Sequence, residues 1–239
     1  MKPIKYSVPL IKQGVQECVQ ASATALLNYF GVAKTFDQVK AEVPVYIDSQ
    51  GKIRGTSIGH MATYLIKQGF SATIHTVDIQ IFDRSWNELS NHELVDRLHK
   101  RQPYLKHPEY DAEILAAMVD GYIQFLTAGG QLSMSLIDEA YLYQLLAKSP
   151  FLAVISFNFL NQTAKYVLGK TSGKPTPDSI KGGPGTHMVV VMGYQNHQFQ
   201  IMDPDYEFGG LRWVDSNLLV GCIYLAETDY DSMVISVQK

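Results

Sequence analysis

A loop carrying two glutamines, Gln13 and Gln16, runs into a cysteine, Cys18, that opens a helix. This junction constrains the chain more than any other stretch. Val19, Ala23, Leu26, Leu27 and Phe30 follow the i, i+4, i+7, i+8, i+11 spacing of one buried helix face. Gly31 stands where a left-handed C′ residue ends a helix. The opposite face, Cys18, Ala21, Ser22 and Ala25, is small, which lets a second layer, expected to be a sheet, approach closely. A helix with core on both faces is central to its domain. Cys18 would sit at its N-terminus, where unpaired backbone N–H groups and the helix dipole favour a thiolate. The plainer alternative is a small buried core residue, common for free cysteine. The choice depends on whether the rest of the chain supplies a histidine.

The chain has 239 residues, of which 46% are apolar, enough for one large domain with a full core. A net charge of −3 suggests neither a nucleic-acid partner nor an anionic membrane surface. Two cysteines far apart, Cys18 and Cys222, form no disulfide framework and point to a reducing compartment. The start, Met-Lys-Pro-Ile-Lys-Tyr, has no signal-peptide apolar core, and no run reaches the ~18 apolar residues of a membrane span. The expectation is a cytoplasmic protein without a membrane partner.

Thr35-Phe36-Asp37-Gln38 reads as a capping box for a short helix to about Val43, which Pro44 interrupts. Gly51 to Gly55 reads as a loop. A third helix carries Ile58, Met61, Ala62, Leu65 and Ile66 on one side and stops at Gly69. Phe70 to Val77 alternates as a strand. Residues 78–149 differ in character and predict a helical insertion or subdomain. Ser90-Asn91-His92-Glu93 is a second capping box, and a long helix from Asp111 ends at Gly129-Gly130. Another helix spans Leu136 to Lys148. Phe151 to Phe157 is an apolar run, the pattern of a strand buried on both faces. A long Gly-, Pro-, Lys- and Ser-rich loop then reaches Gly185 and suggests a mobile or functional segment. The last third reads as an antiparallel sheet, with Cys222 to Glu227 and Met233 to Val237 as closing strands.

His187 begins a strand that is apolar on both faces, and Asp203 ends the return strand 16 residues later. An even separation puts both on one face only if the turn has an odd number of residues, for which Gln195-Asn196-His197 is the candidate. A carboxylate there fixes the imidazole tautomer and stabilises the imidazolium. A structural His–Asp pair at a sheet end is the alternative. With Cys18, the set meets the positional demands of nucleophilic catalysis. An oxyanion donor is also required; the Cys18 N–H and a preceding side-chain amide can serve, and Gln13 has more room to fold back than Gln16.

These pieces together resemble the papain-like C39 and C39-like cysteine peptidases: VPLIKQGVQECVQASATALLNYFG, then GTSIGHMATYLIKQGF, then THMVVVMGY with IMDPD. The likeness covers roughly residues 1–77 and 151–227. It implies a papain-like α+β fold, with the N-terminal helix packed on a C-terminal antiparallel sheet, in one catalytic domain spanning 1–239. It implies Cys18 as nucleophile, His187 as general base and acid, Asp203 as orienter and Gln13 in the oxyanion hole, with a peptide or protein substrate. In bacteriocin-processing members the cysteine stands between aspartate and glycine; here its neighbours are Glu17 and Val19. The family's glutamine lies six residues ahead of the cysteine, whereas Gln13 lies five ahead.

Three functions fit: a peptidase or isopeptidase, a related amidase, deamidase or transglutaminase-like enzyme, and a silent peptide-binding module. No cofactor is implied. His60 reads as a helix-face residue, and His75, His92, His99, His107 and His197 share no metal spacing. Cys222 reads as core. Gly182-Gly183-Pro184-Gly185 lacks the Lys-Ser/Thr of a phosphate loop and reads as a flexible gate beside the site.

Overall fold

A computed structural model describes residues 1–43, 45–49, 51–108, 110–167 and 175–239, apart from the side chains of Thr228 and Asp229. Pro44 and part of the long Gly- and Lys-rich loop lie outside the described residues.

In chain order, the first half contains β1 (Ile4–Lys5), α1 (Cys18–Tyr29), α2 (Phe36–Glu42), β2 (Tyr46–Ile47), β3 (Ile53–Gly55), α3 (Ile58–Lys67) and β4 (Ser71–Thr76). The middle adds α4 (Asn91–Arg101), α5 (Ala112–Thr127), β5 (Gln131–Ser133) and α6 (Glu139–Leu146). Then come β6 (Phe151–Ser156), α7 (Phe157–Asn161), β7 (Tyr166–Val167), β8 (Thr176–Pro177), β9 (Thr186–Gln195) and β10 (Gln198–Asp203). The chain closes with β11 (Gly210–Asp215), α8 (Ser216–Tyr224) and β12 (Met233–Gln238).

The architecture is α+β. Among the described residues, eight strands form one sheet in the order β11-β10-β9-β6-β12-β4-β5, with β1 also paired to β9. The sheet is not wholly antiparallel and not wholly C-terminal. β4 comes from the first half and β5 from the middle, and these two run parallel. One face carries a core built from α1, α3, α4 and α5 residues such as Leu26, Leu65, Leu98 and Phe125. The other carries a core from α6 and α8, including Leu142, Leu219 and Ile223. β6 and β9 therefore bury both faces, which explains their near-continuous apolar sequences.

α1 is the central helix its pattern demands. Val19 to Leu27 are all buried. Its small face meets β9, where the Ser22 hydroxyl donates to the Met188 carbonyl at 2.9 Å. Gly31, at φ +78°, supplies the left-handed turn after the helix. Both capping boxes form, Thr35 with Gln38 and Ser90 with Glu93, and Asp111 caps α5.

Four expected elements differ. Residues Cys222 to Glu227 are not a strand: α8 covers Cys222 and a 3₁₀ turn follows. The Asp215 carboxylate caps α8 by accepting from Asn217 and Leu218 N–H, and Leu219, Cys222 and Ile223 recur at i, i+3, i+4, a helical period hidden in an apolar run. Gly51 to Gly55 is not all loop, since β3 pairs with β2 in a small hairpin. The helix expected from Leu136 starts later, at Glu139, because Asp138 caps it. Phe157 leaves β6 and opens α7.

Residues 78–149 are mostly helical, yet they are woven into the fold through β5 and through α5, which packs on α3. That contact is very close. A Cβ on Gly59 of α3 would sit inside permitted distance of the Gly121 and Tyr122 backbone on α5.

The segment is rooted at a buried carboxyl pair. Asp78 Oδ1 accepts from Gln80 N–H at 2.6 Å and Ile81 N–H at 3.1 Å. Its Oδ2 is buried against the Glu227 carboxyl. Burial, then the Glu227 charge, pushes the Asp78 carboxyl up to about 7. A carboxyl raised on folding contributes stability that is present at acid pH and lost as pH rises through about 7. Asp78→Asn keeps the Oδ1 acceptor and removes the charge. The variant is expected to melt ~4–8 °C higher than wild type at pH 8, from about 2 kcal/mol, and to show no gain at pH 4. Calorimetry at the two pH values checks this; an equal shift at both would remove the shared-proton account.

Candidate active site

Cys18, His187 and Asp203 converge at one end of the sheet, where α1 and β9 both begin. Glu17 occupies the N-cap of α1 but makes no side-chain capping bond, so the first-turn amides point at the thiol's surroundings unshielded. His187 opens β9 opposite Ile155 of β6, on the face that carries α6 and α8. α1 lies on the other face, so sulfur and ring meet around the strand's first residues. The ring lies near enough for its charge and polarity to lower the thiol.

The hairpin behind His187 differs from expectation in an instructive way. Its turn has two residues, not three: Gln195 pairs with Gln198, and Asn196 and His197 adopt φ +47° and +60°. A two-residue turn alone would place His187 and Asp203 on opposite faces. A β-bulge restores the parity, because Gln200 pairs with Gly193 but Ile201 pairs with Val191, leaving Met192 as the extra residue. His187 and Asp203 thus become diagonal neighbours on one face, with His187 Nε2 and Asp203 Oδ1 2.8 Å apart. That contact leaves Nδ1 for the cysteine side.

The electrostatics follow from this chain of contacts. Burial pushes the Cys18 thiol up, but the hydrogen bond and charge of His187, with the Met188 and Val19 backbone amides, bring it below its ordinary value. Burial pulls the His187 ring down, and the Asp203 and Cys18 contacts outweigh it, raising the ring to about 10. Asp203 is fully buried, which alone would raise it; the His187 contact, the Asp205 N–H and the Arg212 charge hold its carboxyl far below the usual carboxylate range. These directions favour a thiolate–imidazolium pair backed by a carboxylate.

Arg212 on β11 was not legible as part of this site. Its Nη2 lies 2.5 Å from Asp203 Oδ2. The signal, visible only afterwards, is a cation at the middle of the short strand Gly-Leu-Arg-Trp-Val-Asp.

Gln13 and Gln16 both line the cleft beside Cys18. Gln13 N–H donates to the Pro204 carbonyl at 2.9 Å, tying the loop to the residue after Asp203. Its side-chain Oε1 is buried without a hydrogen-bond partner among the described residues. Gln16 takes a left-handed φ of +56°. The cleft has a volume of about 680 Å³. Its apolar lining includes Val15, Ile53, Tyr110, Phe157, Tyr166 and Phe208. Phe157 also meets the His187 ring edge-on at 5.3 Å.

The glycine tract before His187 is pinned. Gly185 N–H donates to Asn158 Oδ1 at 2.8 Å, and Gly183 exchanges backbone bonds with Tyr166. His60 lies on α3 with its Nδ1 2.6 Å from the Tyr46 hydroxyl, a helix-face residue as expected. Cys222 is buried core, and burial pushes its thiol up to about 11. Among the described residues no three His, Cys, Asp or Glu side chains could hold a metal, and no helix is long and apolar enough to cross a membrane.

The chain matches no family model and no curated protein. Over its whole length it is similar to solved structures. One is a Bacillus anthracis protein described as a C39-like peptidase, 14% identical, covering 100% of this chain and 98% of that one, TM-score 0.48. Another is the peptidase domain of Streptococcus ComA, a bi-functional ABC transporter of a quorum-sensing pathway, 13% identical, covering 97% and 98%, TM-score 0.41. A third is a double glycine motif protease from an AMS/PCAT transporter, solved with its leader peptide, 12% identical, covering 99% and 97%, TM-score 0.42.

Proposed function

We propose that this chain is a C39-like cysteine peptidase with a papain-like catalytic domain, acting on a peptide or protein. The observation that carries the reading is that Cys18 and His187, nearly 170 residues apart in sequence, line one cleft together, with Asp203 bound to the His187 ring behind it. A structural His–Asp pair has no need of a thiol at a helix start.

In this reading the Cys18 thiolate attacks a substrate carbonyl carbon, and the carbonyl electrons move onto oxygen. The Cys18 N–H and the Gln13 side-chain amide hold that oxyanion. As the oxyanion collapses, the C–N bond breaks and His187 gives its proton to the leaving amine. Water then attacks the thioester, His187 takes its proton, and acid and thiol are released. Asp203 fixes the ring so that Nδ1 serves the sulfur. The apolar walls and the cleft's open ends suit an extended chain with apolar side chains. The middle segment, residues 78–149, then belongs to the same catalytic domain.

Iodoacetamide labelling at pH 6, read by mass spectrometry, tests the nucleophile. Cys18 in the folded protein is expected to react at least ~10-fold faster than a free cysteine with a pKa of ~8.5, and Cys18→Ala abolishes the fast adduct while the fold persists. Incubation of wild type and Cys18→Ala with a defined peptide library then reads cleavage. Slow labelling of wild-type Cys18, or cleavage that survives Cys18→Ala, would overturn the reading.

A further inference from the structure

Asp203 has two carboxylate oxygens with separate duties. Oδ1 faces His187 Nε2 at 2.8 Å and accepts the Asp205 N–H at 3.0 Å. Oδ2 faces away from the ring and lies 2.5 Å from Arg212 Nη2. The carboxylate is fully buried, so Oδ2 has no recourse to solvent. A buried carboxylate oxygen without a donor is costly, and the carboxyl escapes that cost by rotating or by taking a proton.

Arg212 sits opposite Ile201, two positions along the same face from Gly210, which is opposite Asp203. It thus reaches Oδ2 as a diagonal neighbour from the strand beyond. Among the described residues its Nε is buried with no hydrogen-bond partner, and its side chain is 29% exposed. A planar, always charged donor suits this task better than an ammonium.

We propose that Arg212 is a fourth, positioning member of the site: it locks the Asp203 carboxylate with Oδ1 on the His187 ring and so sustains the thiolate–imidazolium pair. It touches neither sulfur nor substrate and acts through Asp203. The inference rests on the Cys18–His187–Asp203 reading. The titratable groups that meet Arg212 are Asp203 from β10 and Cys222 from α8, whose buried thiol its charge pulls down against burial; His187 from β9 lies beyond Asp203, and Cys18 from α1 beyond His187. Removing the cation acts on the thiolate through a displaced Asp203, which no longer holds the imidazolium beside the sulfur.

The test follows the pH dependence of Cys18 alkylation by iodoacetamide, identified by peptide mass, in wild type, Arg212→Gln, Arg212→Lys, Asp203→Asn and Asp203→Asn/Arg212→Gln. Arg212→Gln is expected to move the acid midpoint up by about one pH unit, and so to slow labelling about tenfold on the acid side. Arg212→Lys, which keeps the charge but not the fork, falls between the two. In the Asp203→Asn background, Arg212→Gln adds little, because its partner's charge is already gone. A merely structural arginine would lower the melting temperature without moving the midpoint, and that result overturns the proposal. Should Arg212→Gln fail to fold, Arg212→Lys decides: a wild-type midpoint removes the claim for the guanidinium. A wild-type Cys18 that titrates as an ordinary thiol sinks the peptidase reading itself, a failure distinct from an unmoved midpoint in the variants.

Discussion

Alanine in place of His187 is expected to lower peptide turnover by roughly 10³-fold or more and to make Cys18 an inert thiol at neutral pH. Two opposing effects set the state of Cys18. Burial raises the thiol, and the His187 ring overcomes it. Without the ring only burial remains, with weak help from two backbone amides. The thiol should then titrate at or above the ordinary ~8.5, whereas wild type is expected to keep a thiolate further to the acid side. In the proposed mechanism the ring also donates the proton to the leaving amine, so turnover is expected to fall further than alkylation does. Iodoacetamide kinetics between pH 5 and 9, beside peptide hydrolysis and circular dichroism, measure both. An alkylation profile equal to wild type in the folded variant would separate His187 from the sulfur and leave a structural His–Asp pair.

Gly59→Ala is expected to be strongly destabilising, costing ~3 kcal/mol. Helix propensity alone gives the opposite sign, since alanine in a helix interior is favoured over glycine by about 1 kcal/mol. The new Cβ, however, would meet the backbone of Gly121 and Tyr122, which no rotamer change can move aside. α3 and α5 would have to separate, loosening Met61, Leu65 and Tyr122 in the core they share. Urea denaturation reads the outcome directly. A midpoint lowered at unchanged slope supports the close helix contact; a raised midpoint shows that the helices part at no cost.

The site was more legible in the sequence than the sheet that carries it. Cys18, His187 and Asp203 could be found because each sits at an element boundary marked by local chemistry: a helix start, a strand mouth and an aspartate before a proline. α1 was legible because apolar periodicity and Gly31 agree. The registry was not. The turn at Asn196-His197 and the bulge at Met192 each shift the pairing by one, and an apolar strand gives no alternation from which to count. α8 was misread for a related reason. Its apolar run has both strand and helix periods, and the decision lay in a long-range packing choice and in the Asp215 cap. Arg212 was invisible because its meaning lies across a strand, 9 residues from Asp203, and no local pattern marks it. β5 and its parallel pairing with β4 could not be read from three residues, Gln131–Ser133.

The bulge at Met192 makes the chemistry of this molecule depend on arithmetic. An odd correction offsets an even turn, and only their sum aims the imidazole at the carboxylate. A chain lacking Met192 would keep its hairpin and its apolar composition, yet deliver the ring to the wrong side. A chain that lost Met192 and gained one residue at the loop tip would deliver it correctly again. Lineages can therefore trade hairpin length against backbone irregularity while conserving every reacting group, and alignments that count columns rather than facing side chains will misplace the histidine in such descendants.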